Sequence, residues 1–476
     1  VDKFERLNSP VLGKIAAIYC KFSESYMGPK PRTPENNDLF RQRLDELVNL
    51  SHPLVQLAQH IDWSVFEDGW GGFFPSHRGR PATRPRLVAG LLYLQHTFAL
   101  SDEAVVWGWV ENPYWQLFCG ETWFQHQPPI DPSSLTRWRQ RIGAEGMEWL
   151  LAQTIEATVS AKVIKQHSLD KVIVDSTVQE KAIAYPTDSK LLNRGRQQLV
   201  QLVAESGITL RQNYNRIAPK LAGQIARYAH AKQYRCMRSH LKKLKTLVGR
   251  VWRDVFRQLA QVPQHLKPKV TDLLQKVERL LKQQPQDGHK LYSLHAPEVE
   301  CISKGKSGQP YEFGVKVSVM TTHKEGLVVG MRSLPGNPYD GHTLHLALEQ
   351  AAVLTQQQPK EVFVDLGYRG ATVPAGVKVY HRKLRRGITA RLKRDIRRRS
   401  AIEPVIGHMK NDGRLRRNWL QGTEGDAFHA ILCGCGHNLR MILRKLRLLL
   451  VLIFLRLDWP SINDDRTNHR LAGAYA

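Results

Sequence analysis

The second half of the chain alternates between strand-like and helix-like segments, and their order constrains the fold more than any other feature. A β-branched run comes first, and alternating apolar, amphipathic and basic stretches follow it. The segments are KVIVDSTV (171–178), FGVKVSVM (313–320), LVVGM (327–331), TLHLALEQAAVL (343–354), EVFVD (361–365), VKVY (377–380) and ITARLKRDIRRRSAIE (388–403). The order strand, hairpin, helix, strand, strand, helix predicts a mixed α/β fold with a central sheet flanked by helices.

A long interval without strand character separates the first predicted strand from the hairpin. Residues 187–290 place apolar residues at helical spacing beside a basic face, with breaks near Pro219 and Pro263. An interval of this length is not a loop of a compact domain. We therefore interpret it as an inserted helical subdomain.

The part of the chain before these strands is rich in tryptophan. Eight of the eleven tryptophans lie in residues 1–150, where we predict a helix within 80–100 and another one capped by Ser101. We expect an all-α N-terminal domain here. The predicted parts are 1–150, an α/β core made of 165–186 and 291–440, the basic helical insertion 187–290, and a C-terminal helix and tail 441–476.

The positive charge of the chain is concentrated in two regions. The 476 residues include 70 Lys and Arg against 43 Asp and Glu, a net charge of +27. Residues 1–150 carry a net charge of −2, whereas residues 187–290 carry +16 and residues 380–420 carry +11. Such an excess indicates a polyanionic partner, either nucleic acid or an anionic membrane surface. Two separated basic regions fit a membrane poorly, so we expect a nucleic acid.

Cysteine usage and hydropathy limit the cellular location. The six cysteines are sparse and show no disulfide framework, which is typical of a reducing compartment. The longest apolar run, Leu448 to Leu455, is much shorter than the roughly 20 residues that span a bilayer. The first residues do not resemble a secretory signal. We therefore expect a cytoplasmic protein without a transmembrane helix.

Three carboxylates occupy positions where a ligand crevice is expected. Asp175 closes the strand VIVD and Asp365 closes VFVD, and open α/β sheets bind ligands beyond the carboxyl ends of their strands. Glu403 lies on the predicted basic helix. Converging carboxylates suit Mg²⁺, with Mn²⁺ as a substitute, and two such ions can activate an attacking hydroxyl. One strand-end aspartate alone is more often a turn or cap residue, so the prediction depends on all three acids.

The residues around these acids resemble a known family. VDST surrounds Asp175, VDLGYRG surrounds Asp365, and RRRSAIEPVIGHMKNDGRLRRNWL surrounds Glu403. Over about residues 170–440 they resemble the bacterial insertion-sequence DDE transposases, specifically the InsH-like group, and residues 40–150 resemble the helical domain before its core. The resemblance implies an RNase-H-like catalytic core in 165–186 and 291–440, an N-terminal domain for DNA end binding or assembly, and a triad of these three acids with Mg²⁺. It also implies action on double-stranded DNA, at the terminal inverted repeats of the element and at the target.

Basic residues around Glu403 extend the resemblance. Arg399, Glu403 and Lys410 keep the R-x3-E-x6-K part of the family pattern, whereas Ile396 stands at the position of its tyrosine. Arg399 lies one helical turn before Glu403 and Lys410 two turns after it, so the three can share a face that meets DNA. Pro404 opposes an unbroken helix at this point.

Further DNA contacts are predicted outside this pattern. Asp131-Pro132-Ser133-Ser134 starts a helix with arginines at alternating positions around Trp138, which could enter a groove as the second element of a helix-turn-helix. The alternative is a surface helix that packs through Leu135 and Trp138. The predicted DNA-binding residues are Arg399, Lys410, Arg414, Tyr368, Arg369, Arg137, Arg139 and Arg141.

Other polar residues are discounted as site residues. The segment CGCGH (433–437) lacks a zinc-ligand spacing and indicates a helix interface of small residues instead. Asp170, Asp395 and Asp412 are fallback acids, and Asp412 is expected to end a helix before Gly413.

The predicted function is therefore DNA transposition. We expect a homo-oligomer, a dimer on DNA, that cleaves strands at the element ends and transfers them to target DNA in the bacterial cytoplasm, near the nucleoid. Two alternatives are an RNase-H-like nuclease without strand transfer and a non-catalytic DNA-binding protein derived from a transposase. The presence of all three acids argues against the second alternative.

Overall fold

The computed structural model describes residues 42–71, 83–305, 308, 310–383 and 388–457. Residues 1–41 of the predicted N-terminal domain and 458–476 of the predicted tail lie outside these described residues. So do residues 80–82 of the predicted helix 80–100 and residues 384–387. Within the described ranges we number fifteen α-helices and six β-strands in chain order.

The described N-terminal residues form helices. Their bounds are α1 Leu44–Leu47, α2 Pro53–His60, α3 Ser64–Gly71, α4 Pro85–Thr97, α5 Asp102–Glu111, α6 Pro113–Phe118 and α7 Ser133–Ser160. A proline in the first turn starts α2, α4 and α6, where the missing N–H has no helical partner to lose. The Ser101 hydroxyl accepts a hydrogen bond from Ala104 N at 3.1 Å, so the predicted cap of α5 is confirmed.

Helix α7 contains a break at Gly143. This residue has φ +68° and ψ −174°, which glycine adopts without the cost that a Cβ would add. The helix then continues to Ser160, so the predicted boundary at residue 150 falls inside it. The apolar core of α2–α7 is also continuous with that of the sheet.

The sheet has six strands in a mixed arrangement. Its order is β2–β3–β1–β5–β6, and β4 also pairs with β3. The bounds are β1 Lys171–Glu180, β2 Glu300–Ser303, β3 Tyr311–Thr322, β4 Val328–Leu334, β5 Glu361–Phe363 and β6 Lys378–Tyr380. β1 runs antiparallel to β3 and parallel to β5, and β5 runs parallel to β6. The predicted mixed α/β fold with a central sheet and a β3–β4 hairpin is confirmed, whereas β2 was not predicted.

The prediction that Asp175 closes its strand is wrong. β1 pairs with β3 from Val172 to Glu180, so Asp175 lies in the middle of the strand, opposite Val319. Gly314 permits this continuation, because a Cβ there would come within 1.9 Å of Gln179 O. Gly314 pairs with Glu180 of β1 on one side and with Glu300 of β2 on the other.

Four helices of the insertion form a second apolar core. They are α8 Asp188–Glu205, α9 Ile217–His230, α10 Tyr234–Arg257 and α11 Lys267–Lys282. Leucine and valine side chains of α8, α10 and α11 form a buried cluster together with Ala218 and Ile225 of α9. This cluster is distinct from the one under the sheet. The helical insertion thus contains a hydrophobic core of its own.

Four further helices follow β4 in the chain. They are α12 Asp340–Thr355, α13 Ala390–Arg398, α14 Ile402–Asp412 and α15 Gly422–Leu457. α15 packs against α7, α4 and β4. It continues to Leu457, so the boundary predicted at residue 441 lies inside this helix. Cys433 and Cys435 are buried, and a Cβ at Gly436 would lie 2.3 Å from His96 O, which confirms the predicted small-residue interface. Among the described helices we find none with the length and apolar character needed to cross a membrane.

Asn438 connects α15 to the edge strand β4. Its Oδ1 accepts from Val328 N at 2.9 Å, and its Nδ2 donates to Val328 O at 2.8 Å and to Thr154 Oγ1 at 3.1 Å. Asn438 is fully buried, so these groups have no water to replace the amide.

We expect Asn438→Ala to lower the free energy of unfolding by about 2–4 kcal/mol, because two buried backbone groups of Val328 lose their partner. Urea unfolding followed by circular dichroism measures this loss. The exposed Asn411→Ala in α14 is the control and should shift stability by less than about 0.5 kcal/mol. Equal midpoints for the two variants would contradict the assignment.

Buried His437 makes stability depend on pH. Burial lowers its pKa to about 4, against about 6.5 in an unfolded chain, and its Nε2 lies 3.1 Å from Gly326 O. As pH falls below about 6.5, the His437 imidazole is protonated in the unfolded state but stays neutral in the folded state. Stability is therefore lost at about 1.4 kcal/mol per pH unit until pH 4. Between pH 7 and 4, the free energy of unfolding of His437→Asn should fall less steeply with falling pH than that of the wild type, by about 1.4 kcal/mol per pH unit. The free energy of unfolding of the exposed His126→Asn should show the same pH dependence as the wild type.

Candidate active site

The pairing of β1 with β5 places two aspartates side by side. Lys171 pairs with Glu361 and Ile173 with Phe363 in parallel register. The same offset brings Asp175 level with Asp365, which follows the end of β5 and precedes a 3₁₀ turn at Leu366–Tyr368. Because β5 ends here while β1 continues, both carboxylates lie where the sheet becomes narrower.

Arg399 joins these aspartates to the third acid. Its Nη1 lies 3.5 Å from Asp175 Oδ2 and 3.7 Å from Asp365 Oδ1, and its Nη2 lies 3.3 Å from Glu403 Oε1. Residue Arg399 is 6% exposed, so the guanidinium lies beneath the carboxylates. The structure thus brings together all three predicted catalytic acids around one cation.

A break in the helix places Arg399 and Glu403. The predicted helix 388–403 is two helices, α13 and α14, separated by a 3₁₀ turn at Arg399–Ala401. Pro404 is the third residue of α14, where its missing N–H costs no helical hydrogen bond. The proline is therefore compatible with a new helix start, and Arg399 and Glu403 remain in contact across the turn.

The environment of Asp175 disfavours its charge. Burial raises the pKa of Asp175; a hydrogen bond from Ser176 N at 2.8 Å and the charge of Arg399 oppose this, and the charges of Asp365 and Asp340 add to it. The side chains of Asp365 and Glu403 are 52% and 62% exposed, whereas that of Asp175 is 21% exposed. The site therefore combines one enclosed carboxylate with two that reach solvent.

The donor set fits a divalent metal ion. Carboxylate oxygens from three segments lie 3.3–3.7 Å from one guanidinium. Carboxylates are the hard oxygen ligands that Mg²⁺ or Mn²⁺ prefers. Nε and Nη1 of Arg399 are buried without a hydrogen-bond partner among the described residues. The guanidinium thus neutralises the acids without binding them in ideal geometry.

Asp340 is a neighbour of the site that the sequence did not indicate. It begins α12, pairs with Lys316 Nζ at 3.3 Å, and its charge adds to burial in raising the pKa of Tyr368. A Cβ at Gly367 would lie 3.2 Å from its Oδ2. Asp340 precedes the predicted helix 343–354, and only the contact between α12 and the Leu366–Tyr368 turn reveals its place.

The three fallback acids are engaged elsewhere. Asp170 pairs with Lys360 at 3.2 Å, Asp395 pairs with Lys171 at 3.2 Å, and Asp412 lies 2.9 Å from His408 Nδ1. Asp412 ends α14, as predicted.

The predicted DNA contacts near the triad have different surroundings. Tyr368 is 2% exposed, so in this conformation its side chain is part of the core and the prediction that it touches DNA is not supported. Arg369 is exposed, and Lys410 lies 3.9 Å from Glu312. Arg414 donates to Leu100 O and is half-buried between the N-terminal helices and α15. Arg399, predicted to meet the DNA backbone, instead lies under the carboxylates.

Only two of the three arginines predicted to contact DNA from the recognition helix are exposed. Arg139 is buried and donates to Gln95 and to both oxygens of Asp102, so it is a structural residue and not a DNA contact. Burial raises the pKa of Asp102, but the hydrogen bonds and charge of Arg139 outweigh it and leave that pKa lowered. Arg137 and Arg141 are exposed, and their DNA contacts remain predictions.

A second cluster of possible metal ligands lies inside the helical core. Side-chain atoms of His96, His429 and Cys433 lie within 4.8 Å of one another, and all three residues are buried. Burial, together with the charges of Arg414 and Arg139, lowers the pKa of His429 to about 3. The same positive charges disfavour a bound cation, so we assign this cluster to packing between α4 and α15.

Comparisons with known proteins agree with this site. A family model described as a transposase domain matches residues 42–141, and one described as a transposase DDE domain matches residues 290–439. The second match contains Asp365 and Glu403, whereas Asp175 lies before it.

An uncharacterized protein, ORF8 in the nfe locus of Rhizobium meliloti, is 50% identical over 208 residues, which are 44% of this chain and 100% of that relative. No solved structure matches the chain. The two family matches flank the insertion and cover both the N-terminal helices and the region of the acids. The chain therefore belongs to the insertion-sequence DDE transposases.

Proposed function

We propose that the protein binds the terminal inverted repeats of an insertion sequence, as a member of the InsH-like group, and cleaves and transfers DNA strands with Asp175, Asp365 and Glu403. The observation that carries the proposal is the convergence of these three acids on Arg399. An RNase-H-like core is part of the proposal. The order of three antiparallel strands, β4, β3 and β1, followed by the parallel β5 and β6, supports it.

The acids have distinct roles in this proposal. DDE transposase domains use divalent metal ions, and Mg²⁺ held by the three carboxylates would supply activation of the attacking hydroxyl and charge neutralisation at phosphorus. Asp175, held on the middle of a central strand, fixes the position of the site. Asp365 and Glu403, which are more exposed, face the solvent from which a DNA backbone approaches.

Exposed basic groups hold the substrate in this proposal. Arg369, Arg137 and Arg141 are exposed arginines that we assign to the DNA backbone, and Lys410 is placed to exchange Glu312 for a phosphate. The protein acts as a dimer on DNA, so that two element ends are held together for joining to the target.

We expect Asp175→Asn and Glu403→Gln each to reduce metal-dependent strand cleavage to the uncatalysed background while duplex binding changes less than about threefold, because the lost groups hold the metal and not the backbone. Gel assays with paired element ends and Mg²⁺ measure cleavage and joined products. Asp412→Asn removes an exposed acid from the same helix as Glu403 and should retain activity. Full cleavage by either triad variant would refute the triad, and cleavage without joined products would favour the nuclease alternative.

Arg399 should compete with the metal ion for the acids. We expect Arg399→Gln to lower stability in EDTA by about 1–3 kcal/mol, because three carboxylates lose their common cation while remaining partly solvated. Mg²⁺ should then raise the melting temperature of this variant more than that of the wild type. Thermal melts with and without Mg²⁺ measure both effects.

The control for this prediction is Arg399→Lys, which keeps the positive charge and should restore most of the stability in EDTA. An equal or smaller Mg²⁺ effect in Arg399→Gln than in the wild type would contradict the proposed competition.

A further inference from the structure

We infer that one face of α10 in the helical insertion binds the sugar-phosphate backbone of duplex DNA through about one helical turn. This inference rests on the proposed function and adds a role for the insertion. The face is formed by Arg235, Arg238, Lys242, Arg250, Arg253 and Arg257, which we call the α10 basic stripe.

The stripe follows from the helical period. Its six residues are separated by three, four or eight positions, so they lie along one side of the helix. All six are exposed. The opposite side carries Leu244, Val248, Val251 and Val255, which are buried in the core of the insertion. The apolar side is therefore occupied, and only the basic side is available to a partner.

The part of the chain that the structure describes does not neutralise the charge of the stripe. α10 contains eight Lys and Arg but a single acid, Asp254, which is buried and accepts a hydrogen bond from Arg211 N. Among the described residues no carboxylate forms an ion pair with any member of the stripe. A row of six unpaired cations repels itself, so a polyanion that binds there gains energy by neutralising it.

The neighbouring helix α11 shows the opposite pattern. Lys276 pairs with Asp272 at 2.7 Å and Lys282 pairs with Glu278 at 2.5 Å, each one turn apart. These lysines are neutralised within their own helix. Within the same insertion, α11 thus has lysines paired with acids, whereas the α10 basic stripe has no such pairs among the described residues.

The dimensions of the stripe fit a duplex. From Arg235 to Arg257 the helix rises roughly 33 Å, close to the roughly 34–36 Å of one turn of B-form DNA. The insertion leaves the sheet at the end of β1, and Glu180 lies five residues beyond Asp175, or roughly 17 Å along the strand. The insertion therefore begins within the length of one duplex turn from the acids. Since the stripe contains only Arg and Lys, its contacts are to phosphates and read no sequence.

The salt dependence of DNA binding tests this inference on the full-length protein. Fluorescence anisotropy with a fluorescein-labelled, random-sequence duplex of about three helical turns gives the dissociation constant between about 50 and 200 mM NaCl. Arg238→Gln combined with Arg253→Gln removes two phosphate contacts and should reduce the slope of log affinity against log salt by about 1.8. A duplex of unrelated sequence should give the same reduction.

The matched control is Lys276→Gln combined with Lys282→Gln, which removes the same charge from the same insertion and should leave the slope within about 0.3 of the wild type. Circular dichroism of both double variants checks that they fold. Equal slopes for the stripe and control variants, with steep salt dependence in the wild type, would overturn the stripe and leave the proposed function intact. A wild-type slope near zero would instead contradict DNA binding by the whole protein. Binding to phosphatidylglycerol vesicles that is lost in the stripe variant, without a change in the DNA slope, would overturn DNA as the partner.

Discussion

Arg399 contacts three carboxylates that are far apart in the chain, and the candidate active site depends on this contact. Asp175 is fixed by the centre of the sheet, Asp365 by the end of β5, and Glu403 by the first turn of α14. Like charges this close would repel one another in a partly buried site. The guanidinium offsets that repulsion, so a cation of the chain itself holds the three acids near one another.

The position of α15 is a second requirement for the site. This helix contacts the N-terminal helices, α7 and the edge strand β4, and its Asn438 bonds to the backbone of Val328. Arg414 links the segment after α14 to Leu100, and Arg440 donates to the carbonyl groups of His96 and Thr97. The N-terminal helices are therefore hydrogen-bonded to the segments that follow Glu403.

Local patterns in the sequence predicted most strands and helices, because alternation of apolar residues and N-cap residues act over short distances. The lengths of the strands and the burial of individual side chains could be predicted less well from the sequence. The extent of β1 beyond Asp175 depends on pairing with β3, and the burial of Arg139 depends on Asp102, which is 37 residues away. The three acids that lie around Arg399 could be singled out from their motifs, whereas Asp340 could not, since no local pattern distinguishes it from an ordinary helix-start acid.

Gly314 pairs on one side with Glu180, where β1 leads to the insertion, and on the other side with Glu300, where β2 follows it. The entry and exit of more than a hundred residues are thus separated by a single strand, or roughly 10 Å. A segment whose ends lie so close can be exchanged for a short connection without moving the strands on either side. The sheet and its acids therefore form a unit that does not depend on the length of the insertion, and the surface that the insertion presents can change without altering the candidate active site.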